Sequence, residues 1–313
     1  MRADRIGYLS GAALLLVAPW LGIYPVFVMK LVCYAMFACA FNLLLGFSGM
    51  LSFGHAAFFG ASAYATGWLV TAHGWGTLPA ILAGAAVAGV LGLIIGALAI
   101  RRHGIYFAMI TLAMAQLVYF VCLQAPFTGG ENGLQGIPRG SLVGVLPLRS
   151  DLALYYFVMA AFFGVLVFIR RVVRSPFGKV LQAIRENEPR AISLGYEINR
   201  YKLLAFCLSA VLAGLAGSLK AIVLGFVTLS DVGQANSGEV ILMTLVGGSG
   251  TLAGPVIGTA IVVTLQEYLS DMVGGWVTVI IGGVFVACVL LFRRGIVGEL
   301  VGWRQRASAR LRA

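Results

Sequence analysis

The sequence predicts an all-α, polytopic integral membrane protein of about 8–10 transmembrane helices, broken or re-entrant segments included. Three observations carry that. The chain is 60% hydrophobic and only 11% charged, with a mean hydropathy of +0.97, where a soluble globule is nearer half apolar and a quarter charged. Runs of about 20 apolar residues, each enough for one membrane crossing, recur about eight times, with one further broken run. Eighteen of the 22 Lys and Arg fall in four places: Arg2 and Arg5, the pair Arg101–Arg102, the segment Arg170–Lys202, and the tail from Arg293. That clustering is positive-inside patterning. It accounts for the net charge of +11 without a nucleic acid partner.

Taken in order, the first span is Ile6–Tyr24, retained because no small-residue cleavage site follows it. After a turn at Gly22–Pro25 the second is Val26–Leu45, with Lys30 near its outer end, where the side chain can snorkel. Gly46, Gly49, Gly54 and Gly60, with Ser48 and Ser52, then interrupt the apolar pattern at membrane depth. Irregular backbone there needs protein or a water-filled cavity to satisfy it. The third span runs from near Gly54 to Ala72. The fourth, Leu78–Ile100, is rich in Gly and Ala and should pack closely on its neighbours. Arg101–Arg102 mark its cytoplasmic end. The fifth span is Ile105–Leu123. An outer loop of turns follows at 125–150, and the sixth span, Leu152–Ile169, returns the chain inward. The seventh, Leu203–Phe226, holds the small-residue spacing Gly214–Gly217, with Lys220 near its outer end. The last, Gly274–Phe292, must end inside because Arg293 and Arg294 follow. Parity then requires Glu239–Ser270 to enter and come back out, as two short helices meeting at Gly247–Pro255. The whole chain, 1–313, reads as one membrane domain with a basic tail at 293–313.

The segment 170–202 is the long charged stretch between apolar spans. Ser175 caps a helix that starts with Pro176 and stops before Pro189. Val180, Leu181 and Ile184 form its apolar stripe. A second turn, Ala191–Leu194, closes at Gly195 in a left-handed cap. This helix–break–helix element would leave Leu181, Ile184, Ile192 and Leu194 exposed unless something covers them, the mark of a docking element for a soluble partner.

No enzyme constellation is present. There is no GxxxxGK[ST], so the chain does not itself bind ATP through a P-loop. His55, His73 and His103 lack metal-ligand spacing. The cysteines Cys33, Cys39, Cys122, Cys207 and Cys288 sit in apolar runs and form no CxxC; they read as core residues. The acids lie in loops or near span ends, with Glu239, Glu267 and Asp271 nearest the interior. A proton-coupled carrier keeps an acid buried mid-span; lacking one, the chain points to an ATPase partner. His55, after Gly54, either lines a path or satisfies a freed backbone carbonyl. Asn42, Thr111, Gln116, Ser209 and Thr244 are uncharged polar groups within spans and suit interhelical hydrogen bonds. The breaks Gly46-Phe-Ser-Gly-Met-Leu51 and Gly247-Gly-Ser-Gly-Thr-Leu252 share a pattern. Broken helices at corresponding places in two halves point to a transporter's substrate path.

The segments NLLLGFSGMLSFGHAAFFGASAYA, TGGENGLQGIP, SPFGKVLQAIRENEPRAISLGY and TLVGGSGTLAGPVIGT resemble the LivM-type permease family of branched-chain amino acid ABC importers. The resemblance extends from about Asn42 through the last span, in order. It implies a bacterial inner-membrane subunit with both termini cytoplasmic. Its partners would be a LivH-type second permease, LivG- and LivF-type ATPases, a periplasmic substrate-binding protein and membrane lipid. ATP and magnesium would belong to the ATPases, and this chain would hold no cofactor. The family's ATPase-coupling motif maps to Gly178, Arg185, Glu186, Asn187, Glu188, Ala191, Leu194 and Gly195. The loop facing the binding protein maps to Thr128, Gly129, Gly130, Glu131, Asn132 and Gly133. Other members often carry Ser-Asp or Ser-Asn at Glu131-Asn132.

The translocation path is expected beside the two breaks, at Asn42, Ser48, Gly49, Ser52, Gly54, His55, Gly248, Ser249 and Gly250. A path without fixed buried charge suits a zwitterion, since helix termini and freed backbone groups meet both of its ends. The resemblance implies leucine, isoleucine or valine as substrate. The alternatives are a permease for urea or short amides, a stand-alone secondary carrier, and a channel.

Overall fold

A computed structural model describes residues 22, 24–140, 150–273, 276, 279–283, 286 and 295–299. The expected first span, almost all of it, lies outside the described residues; so do most of the last span, the basic tail and 141–149 of the outer loop.

The fold is all-α and polytopic. Helix α1 (Pro25–Asn42) starts with proline at its first position and continues through a π-helical segment, Leu43–Ser48, to Gly49. It is apolar on every side and is buried on nearly every side, as the central helix of a bundle must be. Helices α5 (Asp151–Arg174) and α8 (Ile198–Leu224) pack directly on it; α2 (His55–His73) and α3 (Thr77–Ala99) pack on α8, and α4 (Ile105–Gln124) packs on α2 and α3. Helices α6 (Pro176–Glu186) and α7 (Glu188–Ser193) join α5 to α8. Helices α9 (Gln234–Gly247) and α10 (Gly254–Val273) complete the described helical framework.

Among the described residues five helices are long and apolar enough to cross a membrane: α1 with its π extension, α3, α4, α5 and α8. Helix α2, the expected third span, is not among these five. It carries His55, Ser62, Tyr64 and Thr66, all buried. Its polar groups are tolerable because α2 faces protein: it packs on α3 and α8.

Small residues set that packing. A Cβ added at Gly217 would lie 1.9 Å from the Phe59 carbonyl oxygen, so glycine is required for α8 to approach α2. Ser62 donates to the Gly214 carbonyl at 2.7 Å and Thr66 to Ser218 Oγ at 2.8 Å. These are the interhelical hydrogen bonds that let polar side chains sit in a membrane bundle. Helices α4 and α5 are peripheral. Leu117, Phe120, Val121, Val167 and Phe168 are exposed and face the surface that lipid would cover.

The outer loop holds more than turns. Leu134–Gln135 (β1) pairs antiparallel with Phe226–Val227 (β2), Leu134 opposite Val227. Arg139 pairs with Asp151 and donates to the Val223 carbonyl at 3.1 Å. The loop is thereby tied to the end of α8. The Glu239–Ser270 region forms two packed helices that break between Gly247 and Gly254. They are longer than the short pair expected: α9 begins five residues before Glu239, and α10 continues to Val273.

Candidate functional site: the junction of two breaks under the α6–α7 element

The two glycine breaks, about 200 residues apart in sequence, meet in space. Asn42, the last residue of α1, is 2% exposed. Its Nδ2 donates to the Thr251 carbonyl at 2.8 Å, and its Oδ1 accepts from Gly250 N at 2.9 Å. One side-chain amide thus satisfies a donor and an acceptor freed by the second break. The fit is close: a Cβ at Gly46 would lie 2.1 Å from Asn42 Oδ1 and 2.5 Å from Gly250 N.

Each break also satisfies itself locally. Ser48 donates back to the Leu44 carbonyl at 2.6 Å, Ser52 accepts from Gly54 N at 3.3 Å, and Thr251 donates to the Gly248 carbonyl at 3.0 Å. Gly49 and Gly250 take φ of 75° and 81°. Ser249 is half-buried and Gly248 buried.

His55 is fully buried at the start of α2. Ser209 spends its one proton on the Ala40 carbonyl at 2.5 Å, so it must accept from His55 Nε2 at 2.7 Å. The rings of Phe37, Phe41, Phe58 and Phe206 surround the imidazole, with centroids 5.3–6.3 Å away. His55 therefore ties α2 to α8 and α1 through a hydroxyl and four aromatic rings. It does not itself meet a freed backbone carbonyl, since its Nε2 is bound to Ser209 and its Nδ1 has no hydrogen-bond partner among the described residues.

The α6–α7 element sits on this junction. Ser175 caps α6, accepting from Gly178 N at 3.3 Å, with Pro176 in the first turn. Asn187 caps α7, accepting from Arg190 N at 3.1 Å, and Gly195 follows at φ 84°. Leu181 and Ile184, expected to be exposed, are buried. Leu181 joins the main core, and Ile184 packs with Ala191 and Ile198. The residues left outward are Ile192 at 61% and Leu194 at 68% exposure, with Glu186 and Asn187 also exposed. The apolar stripe of α6 is thus the inner attachment, and α7 with its following turn presents the outer face.

Arg185, which falls off that stripe, reaches back to the bundle. Its Nη1 donates to the Gly46 carbonyl, and its Cγ lies 2.9 Å from where a Gly49 Cβ would stand. Glu188 is bound to Lys202 at 2.9 Å and lies 3.4 Å from His103. That contact places the Arg101–Arg102 turn at the same end of the bundle as α6–α7.

The outer-loop residues lie at the other end. Thr128 is buried and anchors the loop, its hydroxyl shared between the Cys122 and Ala125 carbonyls at 2.5 and 2.6 Å. Glu131 and Asn132 are exposed, between the positive-φ glycines Gly129, Gly130 and Gly133.

The sequence reading missed one buried ion pair. Lys220 donates to Asp231 at 2.6 Å, with side chains 4% and 5% exposed. Asp231 also accepts from Thr228 N at 3.0 Å, closing a capping box. The signal was present in Thr228-Leu-Ser-Asp231, since a Thr followed three residues later by an acid marks such a box. Among the described residues no group of His, Cys, Asp and Glu could hold a metal ion.

Comparison with known proteins places this arrangement. The high-affinity branched-chain amino acid transport system permease LivM of Salmonella typhimurium is 28% identical over 286 residues, covering 84% of this chain and 67% of that protein. LivM of Escherichia coli K12 matches with the same identity and coverage. The ribose import permease RbsC of Bacillus subtilis is 26% identical over 183 residues, 54% of this chain and 52% of that protein. No solved structure matches the chain. The family model described as branched-chain amino acid transport system, permease component, matches residues 26–290, which takes in the helices described above apart from Pro25, the first residue of α1. The chain belongs to the family of permease components of branched-chain amino acid transport systems.

Proposed function

We propose that this chain is one of two membrane-spanning subunits of an ATP-driven importer of branched-chain amino acids in a bacterial inner membrane, with both termini cytoplasmic. The LivM relatives support the substrate class. The observation that carries the mechanism is the contact of Arg185 with Gly46: the outward α6–α7 element is joined directly to the junction of the two breaks.

In this mechanism two ATPase subunits, LivG- and LivF-like, hold ATP and Mg and dock on Ile192, Leu194 and the exposed Glu186 and Asn187. Gly178 and Ala191 seat the element, Glu188 ties it to Lys202, and Gly195 closes it. ATP-driven closure moves α6. Arg185 passes the motion to Gly46 and Gly49, and Asn42 passes it to Gly250 and Thr251. The path runs beside Ser48, Ser52, Gly54, Gly248 and Ser249, against a LivH-like second permease, with His55 tying the helices behind it. The substrate-binding protein docks outside on Glu131 and Asn132, presented by Thr128 and the flanking Gly129, Gly130 and Gly133.

Reconstitution tests this. The chain is co-expressed with its neighbours, purified, and placed in lipid vesicles with Mg-ATP enclosed at the α6–α7 face. Labelled leucine and binding protein are supplied at the other face. ATP-dependent accumulation is expected. Accumulation without any ATPase, or flux of urea but not leucine, would overturn the reading.

A further inference from the structure

At the opposite end of α1 from Arg185, the helices α1, α9 and α10 line a half-open pocket of about 360 Å³. That volume falls in the ~300–1,000 Å³ range of small-molecule sites. Its wall combines both signs of charge with apolar surface: Lys30, Tyr34, Glu239, Met243, Gln266 and Glu267. Lys30 is bound to Glu267 at 2.6 Å. Glu239 is half-buried and accepts from Gln266 Nε2 at 3.3 Å.

We infer that this cavity is the substrate's seat in the chain, taking the zwitterionic head of an α-amino acid between Lys30 and Glu239 and its aliphatic side chain against Met243 and Val263. This rests on the importer reading above and assigns the position at which that importer's substrate is held. The chemistry is complementary at each point. Lys30 offers ammonium protons to a carboxylate, and Glu239 and Glu267 offer acceptors to an ammonium. Substrate carboxylate takes the place of Glu267 on Lys30, and substrate ammonium is shared between Glu239 and Glu267, so Lys30 keeps an anionic partner and the freed Glu267 gains a cationic one. A neutral amide offers neither exchange.

The placement links the site to the motor. Lys30 and Gly46 are 16 residues apart on one helix, about 24 Å at the helical rise. Helix α9 carries Glu239 near its middle and Met243 about one turn before its end at Gly247; α10 starts at Gly254 and carries Gln266 and Glu267 beyond. Both walls of the cavity therefore end at the junction that Asn42 and Arg185 hold.

The test uses the purified complex and a diazirine analogue of leucine. Irradiation is expected to label Tyr34, Met243 or neighbouring residues of α1, α9 and α10, with labelling suppressed by excess leucine and not by urea. Glu239→Gln and Lys30→Met are each expected to raise the KM for leucine uptake by about tenfold or more, the scale of one hydrogen bond to a charged group. Co-purification of the ATPases with each variant shows that the complex still assembles, and the leucine affinity of the binding protein, a separate chain, is measured alongside. Labelling confined to other helices, or both variants transporting with wild-type KM, overturns the site while wild-type uptake upholds the importer. Absence of leucine uptake by the wild-type complex overturns both.

Discussion

The guanidinium of Arg185 donates to the main-chain carbonyl of Gly46, 139 residues earlier, and so fastens a surface helix to the point where α1 ends. A bond to a charged donor is worth about 1.5–3 kcal/mol, and less where, as at Arg185, the side chain is exposed to solvent. It also bears on the one place where both glycine breaks are within reach, since Gly250 lies beside the same guanidinium. Arg185 is thus an attachment of α6 to the bundle at the two glycine breaks.

Removing this link should separate motor from path. Arg185→Ala is expected to reduce ATP-dependent uptake by about tenfold or more, while the ATPases still co-purify, because the outward face of α7 is untouched. Uptake in vesicles and subunit stoichiometry on the same preparation check it. Arg185→Lys should recover part of the loss, since Lys carries the charge without the planar fork.

Asn42 holds the two breaks together, so Asn42→Leu should loosen them. Gly250 N and the Thr251 carbonyl, both half-buried, would lose their partner, at about 1 kcal/mol for each. The expected outcome is a lower unfolding temperature in detergent. Asn42→Asp keeps the acceptor for Gly250 and loses the donor to Thr251, and should fall between wild type and the leucine variant.

The corner between α5 and α6 depends on a missing side chain. A Cβ at Gly178 would lie 2.4 Å from the carbonyl oxygens of both Val172 and Val173. Gly178→Ala is expected to displace α6, exposing Leu181 and Ile184 and weakening ATPase association. Protease sensitivity at 170–202, compared with wild type, reads the displacement.

The buried pair Lys220–Asp231 pins the end of α8 to the turn before α9. Breaking one side leaves a buried charge alone, at about 3–5 kcal/mol. Lys220→Met and Asp231→Leu should each reduce stability severely, and the double variant should recover a large part. A double-mutant cycle on unfolding temperature measures the difference.

Local signals made the α6–α7 element legible: Ser175, Pro176, Pro189 and Gly195 each fix a boundary through their own backbone chemistry. The fold class followed from hydropathy in the same way. What the sequence did not yield were long-range pairings. The partners of Asn42 lie more than 200 residues away, and nothing local to Asn42 names them. Leu181 and Ile184 looked like an exposed stripe because the periodicity shows which face is apolar and not what covers it; Ile192 and Leu194 carry the outward role. The apolar run at 54–72 predicts an ordinary span, whereas the buried polar groups of α2 require a protein environment. The Lys30–Glu267 pair joins residues 237 apart, which is why the cavity they border had no signature in either segment.

The central claim is that force enters through the outward face of α7. The measurement that tests it most directly is ATP-dependent leucine uptake by the reconstituted complex carrying Ile192→Asp with Leu194→Asp, alongside its ATPase content. Both side chains project from the bundle, so the fold should be unaffected. The account predicts an unfolding temperature equal to wild type, loss of the ATPases on purification, and uptake at background. Wild-type uptake with the ATPases retained would contradict it.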